Sequence, residues 1–575
     1  MRAFLNSLLR PLANNSNRPI IFLAWSLGLM AVSLASPGAA GQQQFDLVIR
    51  NGHIIDGTGS PWYAGDIGIR AGHIARIGSL ADVAAKQVVD AHGLIVAPGF
   101  IDMLGQSEIS ILVNPHVPSK VFQGITTEIT GEGNSIAPTT PKLLAADQAS
   151  FEHFGLRANW TRFSEYFTQL ERHGLGINLA SYVGATQVRR VVLGDDDRAP
   201  TASELARMKA LVREGMLDGA AGLSTALQYA PAPYATTEEL IALASEAASL
   251  GGIYASHMRS EGDAIDSALD EAFRIGREAH IPIEIWHLKV AGKRNWGRMP
   301  ALVERIEAAR RSGVDVEADT YAYTAWFNSF SAFVPPWVHN GGDAKMIARL
   351  KDTAMRQRIR TQMLNDSKGW DNEWLEIPGP EAILVSVVNN PKLLLLQGKT
   401  IAQIAKDRNK DAINTIFDLL IDDPGMSVAV FGMSEADVSY ALKQSWVSVD
   451  NDSQGTAPEG ILGREHPHPR AYAAFPRILR KYVREDKLLT LPDAIRKFSA
   501  LPAQRMRLAD RGVLKTGMWA DIVVFDPETI RDLATFENPN QLSVGMQYVL
   551  VNGVPVVSQG QMTSKLPGKV LRSNR

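Results

Sequence analysis

The sequence predicts an α/β protein: a (β/α)8 TIM-like barrel with a small β-sandwich domain built from both chain ends. Three observations carry this. Polar residues close successive β-like runs at positions 257, 287 and 319, spacings of 30 and 32 that match one βα unit. Short alternating runs punctuated by Gly and Asn occupy both ends of the chain. The 575 residues suggest about four domains at roughly 150 each, or two when one is a barrel of about 250 residues or more.

In chain order, Arg2, Arg10 and Arg18 precede the apolar run from Ile20 to Ala35, and the small residues 36–41 follow it. This reads as a secretory signal peptide over residues 1–40, since the run is shorter than the roughly 20 residues a bilayer requires. Export to the periplasm or medium follows, with no stable membrane insertion after cleavage. Over 45–98, Phe45–Arg50, His53–Asp56 and Asp66–Arg70 read as hairpin strands separated by Asn51-Gly52 and similar pairs. The same texture returns over 511–560, in Ala520–Asp526 and Gln547–Val557. Too few strands occur at either end to bury a face alone, so the two parts are expected to share one sheet domain.

Residues 99–510 carry the barrel pattern, with strands Gly252–His257, Pro282–His287 and Val314–Asp319 alternating with amphipathic helices from about Ala264 and Pro300. The rhythm breaks over 325–436, where Pro335-Pro336 and Gly341-Gly342 occur among aromatic residues. That stretch reads as an insertion over the barrel mouth.

Composition narrows the function. Hydrophobic residues make up 45% and charged residues 21%, a globular balance. Fifty-nine basic and 61 acidic residues leave a net charge of −2, which gives no electrostatic reason to expect a nucleic-acid partner. With no cysteine, disulfides, thiolate zinc sites and a cysteine nucleophile are excluded.

Barrel enzymes place their chemistry at the C-terminal strand ends, where His257, His287 and Asp319 would project. A single strand-end histidine is commonly a hydrogen-bonded core residue. Two on consecutive strands, about 4.8 Å apart, are within reach of one ion, and neutral imidazole is a preferred Zn²⁺ ligand. In Ser445–Asp452, Asp450 is a candidate base for metal-activated water, with an Asx-type turn as the alternative. Prolines flank His468 and stiffen a loop that presents Arg470, which suits bidentate grip on a substrate carboxylate unless the loop is a plain surface turn.

Several segments together resemble the D-aminoacylase (N-acyl-D-amino-acid deacylase) family of the amidohydrolase superfamily: Ala97–Asp102, Gly124–Thr127, Gly222–Thr225, Tyr234–Glu239, Ser256–Gly262, His468–Arg470, Phe475–Arg477 and Gly517–Asp526. The resemblance spans nearly the whole chain after the leader. It implies a metal-dependent barrel beside a β-sandwich, acting on a small-molecule N-acylated amino acid. It also matches His257 and His287 to the paired metal histidines, Asp450 to the catalytic aspartate, and Lys289, Tyr321 and Arg470 to the region holding the substrate carboxylate. Two departures stand out. Leu104 and Gln106 occupy the places of the family's His-x-His pair, so the second metal position is expected to be absent. The family's metal-binding cysteine is also missing, and Glu132 is the nearest substitute, with a turn or helix-capping glutamate as the alternative. The expectation is an exported hydrolase using one Zn²⁺ to cleave N-acyl-D-amino acids. A cyclic-amide or dipeptide hydrolase on the same scaffold, or a metal-free ligand-binding barrel, are the alternatives.

Overall fold

The computed structural model describes residues 44–573, so the signal peptide expected over residues 1–40 lies outside the described residues. Eight parallel strands among the described residues run in sequence order around a barrel: Phe100–Asp102, Ile125–Thr130, Asn178–Ser181 continued by Val183–Gly184, Gly222–Ala226, Ile253–His257, Ile283–Ile285, Val316–Thr320 and Val447–Val449. The last meets the first through a parallel bridge between Gly105 and Ser453, where the Gln106 N–H donates to the Ser453 carbonyl at 3.1 Å. Strand residues alternate between two apolar clusters, as the pleat requires. Tyr254, Ile283, Ile285 and Val316 pack outward against helices such as Ile265–Ala279, whose Leu269 and Phe273 lie one turn apart. Leu104, Ile129, Ala255 and Trp286 fill the interior and form the floor beneath the barrel mouth.

The far ends of the chain meet in a nine-stranded sheet, where Ile95–Pro98 pairs antiparallel with Ile522–Phe525. Ile54, Val96, Ile522 and Leu550 share its core. One local expectation differs. Phe45–Ile54 is a single strand, and Asn51-Gly52 forms a bulge within it instead of a hairpin turn. Asn51 takes φ +56, and its N–H donates to the Asp66 carboxylate at 2.9 Å, so an outside acceptor satisfies the donor that the bulge frees from the ladder.

Strands seven and eight of the barrel are separated by a long excursion. It contains a small antiparallel sheet of Ala325–Ser329, Ser427–Phe431 and Ile383–Val385, with helices including Thr353–Asn365 and Ala412–Asp422. Among the described residues, no helix is long and apolar enough to cross a membrane.

Candidate metal centre

Glu132, His257 and His287 converge at the C-terminal mouth of the barrel, with one ligand atom from each lying within 4.8 Å of the others. His257 is the last residue of its strand. His287 follows the strand Ile283–Ile285 at φ +39, a conformation that non-glycine residues seldom adopt, and its N–H is held by the Asp319 carboxylate. Glu132 follows the second strand across Gly131 (φ +99), where a Cβ would meet the Tyr182 carbonyl at 2.6 Å, so glycine is required to bring the chain past its neighbour. The Glu132 Oε1 atom is 3.1 Å from His257 Nδ1 and 3.7 Å from His287 Nε2. These separations bracket the ~3.4 Å between corners of a tetrahedron with ~2.1 Å bonds, and two imidazoles with a carboxylate are a donor set zinc accepts.

Each ligand is also oriented from behind. His257 Nε2 meets Gln228 Oε1 at 2.9 Å, and Gln228 in turn donates to Glu373 at 3.0 Å. His287 Nδ1 lies 2.9 Å from Glu261 Oε1 and 2.6 Å from Lys289 Nζ. Glu132 Oε2 accepts from Gln106 Nε2 at 2.8 Å. Partners of this kind fix which imidazole nitrogen faces an ion. Burial works to raise the Glu132 carboxyl, but hydrogen bonds from both histidines outweigh it and hold the group well below the usual carboxylate range. For His287, burial and the Lys289 charge pull downward, yet Glu261 and Glu132 prevail and lift it to about 9.

Glu132, His257, His287, Glu261 and Gln106 line a cavity of about 230 Å³, together with Lys289, Tyr321 and Asp452. Its roof comes from the excursion between strands seven and eight, through Trp326 to Ser329 and Ser427. Lys289 Nζ is engaged by Glu261 at 2.7 Å and lies 5.6 Å from the centre of the Tyr321 ring. Arg470 is buried behind this wall, its guanidinium stacked over Tyr321 at 4.6 Å and 2.9 Å from Asp452 Oδ2. Among the described residues, its Nε and Nη1 atoms have no hydrogen-bond partner. The His468 loop is a built feature, not a surface turn: burial and the Arg470 charge keep the imidazole neutral, and its Nδ1 accepts from the Arg470 N–H at 3.0 Å.

Asp450 lies apart from this cavity: it is fully buried and does not line it. It faces the Asp319 carboxyl, and burial raises it to about 7. The aspartate that reaches the cavity is Asp452, at φ +43, with Oδ1 accepting from Gln106 at 3.0 Å. The eighth strand ends at Val449, so Asp450 is still inside the barrel wall, and the next same-side residue is the one at the rim. Both carboxylates lay in one Asp/Asn run, and only height along the barrel axis separates them. Glu261, one helical turn's spacing after His257, and Gln228 were likewise missed. The metal-centred reading of the histidines did not extend to what holds them in place.

Comparison with known proteins agrees with this geometry. A model described as "Amidohydrolase family" matches residues 87–557. D-aminoacylase of Alcaligenes xylosoxydans xylosoxydans is 36% identical over 530 residues, covering 92% of this chain and 98% of its own. N-acyl-D-glutamate deacylase of the same organism is 35% identical, covering 92% and 97%. The crystal structure of N-acyl-D-glutamate deacylase from Bordetella bronchiseptica, complexed with zinc and a phosphonate mimic of the tetrahedral intermediate, superposes with TM-score 0.78 at 32% identity, over 92% of this chain and all of that one. The alternative of a metal-free binding barrel gives way to these matches. Barrel, β-sandwich, convergent ligand set and full-length similarity together place this chain in the amidohydrolase family, among its D-aminoacylases, as a metal-dependent amide hydrolase.

Proposed function

We propose that this protein is an exported deacylase that uses one zinc ion to hydrolyse N-acyl-D-amino acids to a carboxylate and a free D-amino acid. The observation that carries the reading is the convergence of Glu132, His257 and His287 within 4.8 Å beside a cavity walled by Lys289, Tyr321 and Asp452. Leu104 packs into the apolar interior and the Gln106 amide is bonded to Glu132 and Asp452, so neither residue offers a second ion a ligand. When bound, zinc supplies Lewis acidity toward the acyl carbonyl and the attacking water.

The remaining work falls to side chains. Lys289 and Tyr321 form a cationic, aromatic wall suited to a substrate carboxylate, and Arg470, stacked behind Tyr321, adds positive charge to it. Asp452, kept in place by Gln106 and Arg470, accepts a proton from water as it attacks and returns it to the amide nitrogen as the C–N bond breaks. Gln228 and Glu261 keep the histidine rings from turning away.

The test is elemental analysis of purified protein together with assays on N-acetyl-D- and N-acetyl-L-amino acids. One equivalent of zinc with hydrolysis confined to the D series is expected. Two equivalents, or a preference for the L series, would overturn the corresponding part. N-terminal sequencing of exported material should begin near residues 36 to 41, and recovery of the full-length chain in the cytoplasm would refute export.

A further inference from the structure

A second cavity, of about 310 Å³, adjoins the first and shares Glu132, Tyr229 and Ser329 with it. It lies beyond Glu132, under the ends of the fourth and fifth strands, and is closed by excursion residues 329–339 and 369–371. Lys289, Tyr321 and Asp452, which wall the other cavity, are absent from its lining. In an N-acyl amino acid the acyl chain is bonded to the scissile carbonyl carbon and the carboxylate to Cα on the nitrogen side, so the two lie on opposite sides of the amide bond. A substrate whose carboxylate faces Lys289 and whose carbonyl faces the three ligands therefore sends its acyl chain past Glu132 into the second cavity.

The lining specifies what that chain can be. Leu227, Tyr229, Pro233, Val334 and Trp370 supply apolar surface, interleaved with the uncharged polar side chains of Asn134, Gln228 and Ser331. Its charged members are already committed, Glu132 to Gln106 at 2.8 Å and to His257 at 3.1 Å. Arg259 holds both carboxylate oxygens of Glu271, at 2.8 and 3.0 Å, and donates to the carbonyls of Pro233 and Ala235 at 2.9 and 3.0 Å. Asp371 accepts from the Ser260 hydroxyl and from the Glu261 N–H at 2.7 Å. Burial pushes the His339 imidazole down to about 4, which leaves it neutral. No free cation remains in this lining to meet an anionic group, and an acetyl methyl would leave most of the volume to water.

Resting on the deacylase reading above, we infer that the cavity bounded by Leu227, Tyr229, Val334 and Trp370 is an acyl subsite for an uncharged chain longer than acetyl. Ala332, in its lining, is small enough that a larger side chain there would fill it.

The experiment compares N-acetyl-, N-butyryl-, N-octanoyl- and N-succinyl-D-leucine, with N-acetyl-D-glutamate as an alternative amino acid, on the zinc-loaded full chain and on Ala332→Phe. In the wild type, kcat/KM should rise about fourfold per added methylene over the first few, as burial of each CH2 predicts. N-succinyl, equal to butyryl in length but anionic, should fall at least about tenfold below butyryl because its carboxylate would be buried unpaired. Ala332→Phe should abolish the octanoyl advantage, bringing octanoyl down at least to the acetyl rate of the same variant. Equal rates along the wild-type acyl series overturn the inference without needing the variant. So does an Ala332→Phe defect that follows the amino acid, leucine against glutamate, and not the acyl chain. A protein that hydrolyses none of these substrates fails the deacylase reading itself, a result distinct from turnover without acyl discrimination.

Discussion

Two groups of buried charge lie near the mouth of the barrel, and they are built on opposite principles. Lys120, Asp102 and Glu128 are all fully buried, with the ammonium 2.7 Å from Asp102, 3.0 Å from Glu128 and 2.8 Å from each of Asn451 Oδ1 and the Ser453 carbonyl. This cluster carries its own cation, covalently attached, and is closed. Glu132, His257 and His287 instead turn ligand atoms toward one another beside a cavity. The difference lies in what each asks from outside. An internal lysine pairs with its carboxylates permanently and fastens the loop carrying Asp452, while the open set leaves its ligand atoms facing a cavity. The first strand belongs to the closed cluster: its last residue, Asp102, meets Lys120, and Leu104 just beyond it enters the apolar floor.

The largest break in this contrast should come from the open set. His257→Ala or His287→Ala should each lose the zinc and lower kcat/KM by about a thousandfold or more, because two remaining ligands do not retain a catalytic ion. Metal analysis beside steady-state kinetics checks this, and retention of zinc by both variants would remove the histidines from the ligand set. Next in size is Asp452→Asn, which should keep its zinc while kcat falls by about 10²–10⁴, the usual worth of a general base. Asp450→Asn is the control that separates the two aspartates. It leaves cavity contacts intact, so its effect on kcat should be much smaller, and the reverse order would return the role to Asp450.

Lys120→Met tests the closed cluster from the other side. Removing one partner of a buried ion pair strands the rest, at a cost of about 3–5 kcal/mol. Thermal unfolding should shift down accordingly while zinc content stays at the wild-type level. If zinc is lost with no change in stability, the lysine belongs to the metal site and the contrast between the clusters collapses.

Much of this arrangement could be read from the chain. His257 and His287 were legible because periodic βα spacing puts strand-end residues at one rim, and Glu132 because only one carboxylate follows the second strand at the right place. Asp452 was not, since a run of alternating acidic residues does not state where its strand ends. The supporting contacts of Gln228, Glu261 and Glu373 were hidden for a different reason: each joins residues of separate strands or of the excursion, and no local pattern encodes such a meeting. The Asn51-Gly52 bulge failed for want of its distant partner, Asp66, which decides between bulge and turn. The Lys120 cluster gave no sign at all, because its lysine sits in an unremarkable four-residue helical turn.

The smallest effect, and a sharper form of the comparison, concerns protons. Lys120 keeps its charge because the burial that would lower it is outweighed by Asp102 and Glu128. His287 competes for the same kind of place in the open set, but its cation is a proton that an ion must displace. Without metal its pKa stands at about 9 against an ordinary 6.5. Because the folded value is raised, the protonated imidazole contributes stability to the metal-free protein that is fully present below pH 6.5 and is lost as pH climbs through 9. A zinc ion held by His287 would need a lone pair on the ring nitrogen that faces Glu132, so the proton there would have to leave first. Zinc affinity should therefore weaken by about tenfold for each pH unit below 9 and level off above it. Chelator competition at pH 7, 8, 9 and 10 measures this directly. Glu261→Gln removes the carboxylate that, with Glu132, raises the group, so it should move the break in the curve toward lower pH while leaving the three ligands unchanged. A pH-independent affinity in the wild type would mean that His287 is neutral in the metal-free site, and that the two clusters differ in geometry alone.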